Sequence, residues 1–416
     1  MTMAYDPKRI AALVAGYRKN RPLQSDFYVA SDVYAADLDR IFRRQWLYIG
    51  HSCMIPKPGD CLSYQVAGEN VVAVRGASGD IRAFHNVCRH RGGTVCRGQS
   101  GHAKRLMCHY HQWVYELDGR LMTDTAADFG VDRSELGLKP VPLIDAAGLL
   151  FFNLADDPPS FEATRADIVQ RLTVHGMDRA KVAKTVVYDV KANWKIVFEN
   201  NRECYHCPGN HPEYNAATYD VLRTDSRRKD DVERITKAAN ERFRRLGLDE
   251  GDAWSFMTGK FWRAHRTPLM EGFTTQSLDG KPVGPLMGDL KERDAGTLRI
   301  TIFPNFWQHA SDYHAVATRI TPLAPDLCRI HVHWLVHKDA VEGKDYTLDR
   351  LLPVWQRTSE QDWEICESVQ TGVGSSHFEP GPFSKTLEGN VAQFIEWYLD
   401  EVAPAGASGP RLVKRA

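Results

Sequence analysis

Two short stretches of the chain gather five of its nine cysteines and six of its sixteen histidines, side chains able to hold a metal. The first is "CRHRGGTVCRGQSGHAKRLMCHYHQW", residues 88–113. Cys88 and His90 are separated by one residue, Cys108 and His111 by two, and seventeen residues lie between the halves. Each half offers one thiolate and one imidazole from an expected hairpin loop, a set that a binuclear iron–sulfur centre uses by giving both sulfurs to one iron and both nitrogens to the other. A structural zinc ion with two cysteines and two histidines is the rival reading. Zinc knuckles more often pair Cys with Cys, and C-x-H is tight for two ligands of one tetrahedral ion, so the spacing favours the cluster. Gly92 and Gly93 would let backbone N–H groups approach the sulfurs. Cys96, His102 and His109 read as loop residues nearby.

The second stretch is "NNRECYHCPGNHPE", residues 200–213. On one continuous helix His206 and His211 would sit about 140° apart and could not share a face. Pro208 and Gly209 are expected to break the helix between them and let His211 swing back toward His206. That arrangement suits a metal better than a helix surface.

The elements that position these residues follow from the rest of the chain. Its 416 residues suffice for two or three domains with a sizeable core. Lys plus Arg and Asp plus Glu both total 53, a balance that gives a nucleic acid no electrostatic footing. The opening "MTMAYDPKRIAALVAGYRKNRP" lacks the apolar run of a signal peptide, and no 18-residue apolar segment occurs, so a cytoplasmic protein without a membrane span is expected. Nine cysteines without a secreted-framework spacing point to reduced thiols, some used as ligands. Residues 6–19 and 35–46 have helical spacing, the second with Leu38, Ile41, Phe42 and Trp46 on one stripe. Short runs such as "CLSYQVAG", "NVVAVRG", "IRAFHNV", "WVYELDG" and "LLFFNLA" predict a compact antiparallel β domain over 45–155, and "ADDPPS" a linker. Over 156–404 the pattern gives helix 161–174, strand 182–190, the motif helix, a polar irregular stretch from 221 to 295, strands at 297–303, 313–321 and 327–337, and helices at 346–371 and 388–402. That order predicts an α+β domain with an antiparallel sheet packed by helices. The tail from 405 to 416 is expected to be disordered.

C-x-H-R-G, fifteen residues, then C-x-Y-H-Q-W resembles the Rieske [2Fe-2S] motif of the oxygenase components of Rieske non-haem iron oxygenases, and the likeness continues in order along nearly the whole chain. The resemblance implies an N-terminal antiparallel β Rieske domain over 45–155, a C-terminal helix-grip (START-like) catalytic domain, and N-terminal helices of residues 1–44 packing on the latter. His206 and His211 are similar to the two histidines of the family's mononuclear Fe(II) site, and Glu203 matches the acid placed before them. A site of two histidines and one carboxylate leaves positions for O2. In "VWQRTSEQDWEICESVQTG" Asp362 shares a helical face with Trp355, Thr358, Ile365, Cys366 and Val369, while Glu360, Glu364 and Glu367 point elsewhere. An acid on that stripe is costly to bury unless paired or metal-bound, so Asp362 is the candidate third ligand and a buried ion pair its alternative. The family's third ligand likewise precedes a V-Q-x-G stretch, reproduced by Val369, Gln370 and Gly372.

By the same resemblance a reductase carrying flavin and an iron–sulfur centre passes electrons from NAD(P)H to the Rieske cluster, and they cross to the mononuclear iron between subunits of a homotrimer. Glu203 would join His90 of a neighbouring subunit to His206, with Asn200 or Asn201 close by. His331 and His333 form an H-x-H on a strand and are expected at solvent or rim positions opposite Ile330, Val332, Trp334 and Val336. Cys204 and Cys207 are expected to pack near the metal rather than do redox work. His309 and His314 are equally suited to a pocket and to the core.

"WKIVFENNRECYHC", "NHPE", "WLVHKDAVEGKDY" and "EPGPFSK" resemble the subgroup that oxidatively demethylates quaternary ammonium compounds such as glycine betaine and proline betaine. A trimethylammonium group donates no hydrogen bond and needs aromatic faces, for which Trp254, Phe256, Trp262, Phe306, Trp307 and Tyr313 are the candidates. Three functions remain: an N-demethylating monooxygenase, a related oxygenase of an aromatic acid or ring, and a zinc-stapled binding protein without turnover.

Overall fold

The structure, a computed structural model, describes residues 4–122, 130–249, 261–290 and 295–404. Trp254, Phe256 and the tail from 405 lie outside the described residues. Two compact units emerge: one spans Phe42–Val169, and the other combines residues up to Ile41 with those from Gln170 onward.

The first unit is built from short antiparallel strands. Asp60–Val66, Glu69–Arg75 and Ile81–His85 form the centre of a five-stranded sheet completed by Ser100–His102 and Pro140–Val141. Leu47–His51, Leu149–Phe152 and Leu143–Ala146 make a second sheet, and Leu106–Met107 pairs with Val114–Tyr115. Alternating apolar residues of these strands close over a core that contains Val72, Val74, Phe84, Trp113, Tyr115 and both Cys88 and Cys108. The unit runs past the boundary expected at 155. Phe161 packs on Trp46 and Phe151 at ring-centroid distances of 5.4 and 5.3 Å, and Trp46 Nε1 donates to Pro159 O at 2.7 Å. These contacts hold the expected linker and the start of the next helix, Glu162–Thr173, to the β unit.

The second unit is a six-stranded antiparallel sheet in the order Ala180–Val190, Leu327–His337, Ala315–Ala324, Phe306–Ala310, Thr297–Ile302, Trp262–Thr267. From Trp262 to His337 each strand pairs with its sequence neighbour, and the first strand closes on the last. Helices Trp194–Asn201, Pro353–Val373 and Gly389–Val402 supply an aromatic layer. Phe198 meets Phe303, Trp307 and Phe394 at 5.2, 5.7 and 5.1 Å. Asp37, at the end of helix Ser31–Asp37, accepts hydrogen bonds from Trp194 Nε1 at 2.9 Å and Tyr398 Oη at 2.8 Å and pairs with Lys195, both charges being fully buried. One acid thus ties three helices together. No described helix is long and apolar enough to cross a membrane.

Several sequence expectations change. The helix foreseen over 35–46 is instead Ser31–Asp37 followed by a π-turn at Leu38–Phe42, although Leu38, Ile41, Phe42 and Trp46 are all buried. Residues 221–295 are not irregular throughout. Lys229–Arg245 is a helix whose buried Ile235, Ala239 and Phe243 recur every fourth position on an otherwise charged cylinder, a stripe too narrow to stand out. Strand Trp262–Thr267 was hidden for a different reason: Arg263, His265 and Arg266 interrupt its apolar pattern, and all but His265 are buried. His331 and His333 are buried at 5% and 1% exposure rather than solvent-facing. Their strand lies inside the sheet, where alternation no longer separates core from water.

Candidate active site and cluster-binding loops

Helix Trp194–Asn201 starts at Asn193, whose Oδ1 accepts from Lys195 N at 3.0 Å, and ends at Arg202. A bend through Glu203–His206 leads into the helical turn Cys207–Asn210, and the chain turns again at His211 (φ −123°, ψ 69°) before helix Pro212–Ala217. The break between the histidines therefore falls at His211, ahead of Pro212. Pro208 and Gly209 lie within the turn, where a proline in the first helical positions loses no needed donor. The bend also brings Cys204 and Cys207 together as a disulfide, with Cα atoms 4.9 Å apart, in place of the expected free thiols.

The two histidine rings meet edge to face at 5.0 Å, and Asp362 reaches them from helix Pro353–Val373. Asp362 Oδ1 is 3.2 Å from His206 Nε2 and 3.0 Å from His211 Nε2. On the other side of each ring Nδ1 is engaged, by Glu203 Oε1 at 2.5 Å for His206 and by Gln361 Oε1 at 2.9 Å for His211. These acceptors place the Nδ1 protons and turn both Nε2 atoms toward Asp362. His211 Nε2, buried, makes no hydrogen bond despite its distance from Asp362. Two ligands bound at right angles about 2.1 Å from one ion stand about 3 Å apart, so the separations fit a shared metal.

Electrostatics agree with that fit. Burial alone would depress the His206 imidazole, but Asp362 and Glu203 outweigh it and hold it up at about 10. Burial alone would raise Asp362, but the two imidazoles hold it below its ordinary value. A surrounding that retains a proton on His206 also suits a divalent cation. Cys207 Sγ is 4.0 Å from His206 Nε2 yet is committed to Cys204. The apolar stripe expected around Asp362 holds at Trp355, Thr358 and Cys366 but not at Val369, which is 43% exposed. The helix's final turns instead tie back to the motif: Gln370 Oε1 accepts from Asn193 N at 2.8 Å and Glu367 Oε1 from Lys191 N at 2.9 Å.

A cavity of about 690 Å³, open solvent included, lies over these residues. One wall is aromatic: Tyr214 meets Trp355 at 5.6 Å, and His309 stacks on Trp355 at 4.2 Å. One face of the sheet contributes Arg263, His265, Arg299, Thr301 and His309. Their cross-strand pairing, Arg263 with Thr301, His265 with Arg299 and Arg299 with His309, makes one polar patch on three neighbouring strands. His314 does not line the cavity and bonds to Ser311. Trp262, Phe306, Trp307 and Tyr313 are buried but also lie outside the lining. Trp307, for one, is held in the Phe198 cluster. Tyr214, Trp355, Gln361 and Arg202, together with Arg263, His265, Arg299 and Thr301, are among the residues that sequence reasoning did not assign to the pocket or its support.

In the β unit the two motif halves form matching tight loops. Cys88 N donates to Gly93 O at 2.8 Å and Gly92 N to Cys88 O at 3.0 Å, while Cys108 N donates to Trp113 O at 2.9 Å. Cys88 and Cys108 are 3% and 2% exposed, whereas His111 is open to solvent and His90 half-buried. His90 and His111 approach at 4.4 Å, and His90 stacks on Trp113 at 4.9 Å. Tyr115 Oη lies 3.3 Å from Cys88 Sγ, a donor suited to a thiolate ligand. A Cβ on Gly93 would come within 2.9 Å of Cys108 Sγ, so the absence of a side chain there keeps room beside the sulfur. Sulfurs inside and imidazoles outside fit a [2Fe-2S] group with one iron near the surface. Cys96, expected to be a loop bystander, is buried with its Sγ 2.8 Å from Cys61 Sγ.

Comparisons with known proteins match both units of the chain. Residues 45–130 match the Rieske [2Fe-2S] domain and residues 177–403 the ring hydroxylating alpha subunit (catalytic domain). The glycine betaine monooxygenase oxygenase subunit of Chromohalobacter salexigens is 41% identical over 383 residues, 91% of this chain and 85% of that protein. The subunit of the same name from Pseudomonas aeruginosa is 39% identical over 393 residues, 91% and 89% of the two chains. Among solved structures, the quaternary ammonium Rieske monooxygenase CntA with a bound inhibitor superposes with a TM-score of 0.71 over 94% of this chain and 98% of that one; at 21% identity this likeness speaks for the fold. The chain belongs to the ring-hydroxylating alpha subunits, the oxygenase components that carry a Rieske [2Fe-2S] cluster and a mononuclear non-haem iron.

Proposed function

We propose that this protein is the terminal oxygenase of a system that removes an N-methyl group from a small betaine. The observation that carries the reading is the aromatic corner of Tyr214 and Trp355 in the same cavity as His206, His211 and Asp362. Tyr214 itself stands 6.4 Å from the His211 ring, so a cation held in the corner would present its methyl groups toward the histidines. Each ring face is worth about 0.5–2 kcal/mol to a desolvated quaternary ammonium. The names of the relatives in the two bacteria point to the same substrate class.

In this reading Cys88, His90, Cys108 and His111 hold the cluster, and His206, His211 and Asp362 hold the iron. When bound, the cluster delivers single electrons and the iron uses them to activate O2. The chain's own residues do the rest. Glu203 fixes His206 through Nδ1, and its second oxygen is steadied by the backbone N–H of Tyr205. In a homotrimer, the assembly we favour, Glu203 would reach His90 of a neighbouring copy and give electrons a short bonded path. Gln361 fixes His211 in the same way. The net change consumes O2, two electrons and two protons, inserts one oxygen into a methyl C–H bond and releases water. The resulting carbinolamine loses its hydroxyl proton, the C–N bond breaks, and formaldehyde and the demethylated amine leave. Electrons would come from NAD(P)H through a reductase with flavin and an iron–sulfur centre.

Steady-state turnover with such a reductase tests the proposal. Formaldehyde should appear in step with loss of glycine betaine or a close analogue. Coupled oxidation of an aromatic acid, with no formaldehyde from any betaine, would overturn it.

A further inference from the structure

The cavity holds more positive charge than its own acids can balance. Three guanidiniums line it, those of Arg202, Arg263 and Arg299. Both lining acids are committed elsewhere, Glu203 to His206 and Tyr205 N, and Asp362 to the two histidines. Arg299 has an acid of its own, Asp220, and also donates to Tyr214 Oη at 2.9 Å. Arg263 has contacts of its own within the protein. Arg202 is different. It is 4% exposed, its Nη1 reaches only the neutral Thr301 Oγ1 at 3.3 Å, and its Nε and Nη2 have no hydrogen-bond partner among the described residues. Its guanidinium lies 5.5 Å from the Phe303 ring, an apolar neighbour on one side.

A buried cation with two donors unspent costs several kcal/mol unless something supplies the anion. Burial and the nearby Arg263 both push Arg202 well below its ordinary value, and no acid offsets them. The position at the C-terminus of helix Trp194–Asn201 favours a cation, but a helix end is worth at most about 2 kcal/mol and satisfies none of the free N–H groups. Nε and Nη2 are one edge of the planar fork that grips a carboxylate through two parallel hydrogen bonds.

We propose that Arg202 is the carboxylate-binding residue of the substrate cavity, so that one small zwitterion spans it with its carboxylate on the Arg202 fork and its quaternary ammonium in the Tyr214–Trp355 corner. The assignment deepens the reading above and rests on it for the cationic end only. Arg202 immediately precedes Glu203, so the same bend that orients His206 sets the anchor for the substrate's far end. Selection follows from chemistry: an alcohol analogue such as choline fills the aromatic corner but leaves the guanidinium unpaired, whereas a carboxylate without the cation still finds it.

Calorimetric titration of the metal-loaded oxygenase, without reductase, provides the test. Glycine betaine, choline and 3,3-dimethylbutanoate, the neutral-headed isostere, are the probes. The wild-type protein should bind glycine betaine more tightly than either of the others. Arg202→Gln should weaken glycine betaine and 3,3-dimethylbutanoate by about 10–100-fold while moving choline by less than about threefold. Arg202→Lys keeps the charge but loses the fork and should fall between, which keeps the proposal testable if the glutamine variant folds poorly. An unchanged cluster absorbance and iron content would certify the variants. Equal loss for choline and glycine betaine, or no loss for either carboxylate, would overturn the assignment. Loss of carboxylate binding in a protein that releases no formaldehyde from any betaine would uphold the anchor and sink only the demethylation reading.

Discussion

Replacing Asp37 with Ala should damage the iron site from a distance. Asp37 is the counter-ion of Lys195, both side chains being 0% exposed, and it also accepts from Trp194 and Tyr398. Lys195 additionally sits 5.1 Å from the Trp194 ring and 5.0 Å from that of Tyr398, contacts too weak to replace a carboxylate. Removing one partner of a buried pair costs about 3–5 kcal/mol, because the remaining charge stays buried without compensation. For a unit of this size that corresponds to a fall in Tm of roughly 5–8 °C. Because Trp194 and Lys195 open the helix that runs into Arg202, Glu203 and His206, mononuclear iron should be lost before the cluster spectrum changes. Removing both charges with Asp37→Ala and Lys195→Met should recover at least about 1 kcal/mol relative to Asp37→Ala alone, since no unpaired ion remains. Calorimetric unfolding with parallel iron analysis and visible spectra reads all three quantities. A single variant within about 1 kcal/mol of wild type, or a double variant worse than the single, would refute the reasoning.

The other predictions are more local. Cys88→Ser or Cys108→Ser should abolish the visible and reduced-state EPR signals of the cluster, and Gly93→Ala should perturb them because the added methyl crowds Cys108 Sγ at 2.9 Å; an unchanged spectrum in the Cys108 variant would remove it from the ligand set. Asp362→Ala should deplete mononuclear iron and stop turnover with the cluster intact, whereas Glu364→Ala, on the exposed side of the same helix, should do neither. Iron loss in the second variant alone would show the wrong acid had been chosen. Glu203→Gln should retain both metals yet slow single-turnover cluster oxidation by about 10–100-fold, through loss of the charged acceptor at His206 Nδ1. Normal oxidation there would mean that electrons take another path.

What could be read from the sequence was what depends on local spacing. Cys88, His90, Cys108 and His111 lie in two loops closed by their own backbones, so a few residues carry the whole arrangement. Asp362 was legible because helical period alone puts it on the face of Trp355 and Thr358. The cavity wall was not legible, for a physical reason. Strands Trp262–Thr267 and Phe306–Ala310 turn polar residues such as Arg263, His265 and His309 inward, which spoils the alternation used to find strands and disguises pocket residues as surface ones. Of the aromatic candidates on these strands, Trp307 packs against Phe198 in the helix layer and Phe306 is buried away from the cavity lining. Arg202 gave no signal in the sequence, and only tertiary packing shows it buried. Asp37 gave no signal because its partners lie far along the chain.

The proposed function requires this chain by itself to bind a betaine beside its iron and to oxidise a methyl group on it. A single-turnover experiment addresses that requirement most directly. The purified oxygenase, with its cluster reduced chemically and no reductase present, is mixed with glycine betaine and O2, and products are quantified against cluster oxidised. Formaldehyde and dimethylglycine should form in equal amounts, and both should disappear in Asp362→Ala. Cluster oxidation that returns glycine betaine intact, in a protein whose iron site is full, would contradict the account.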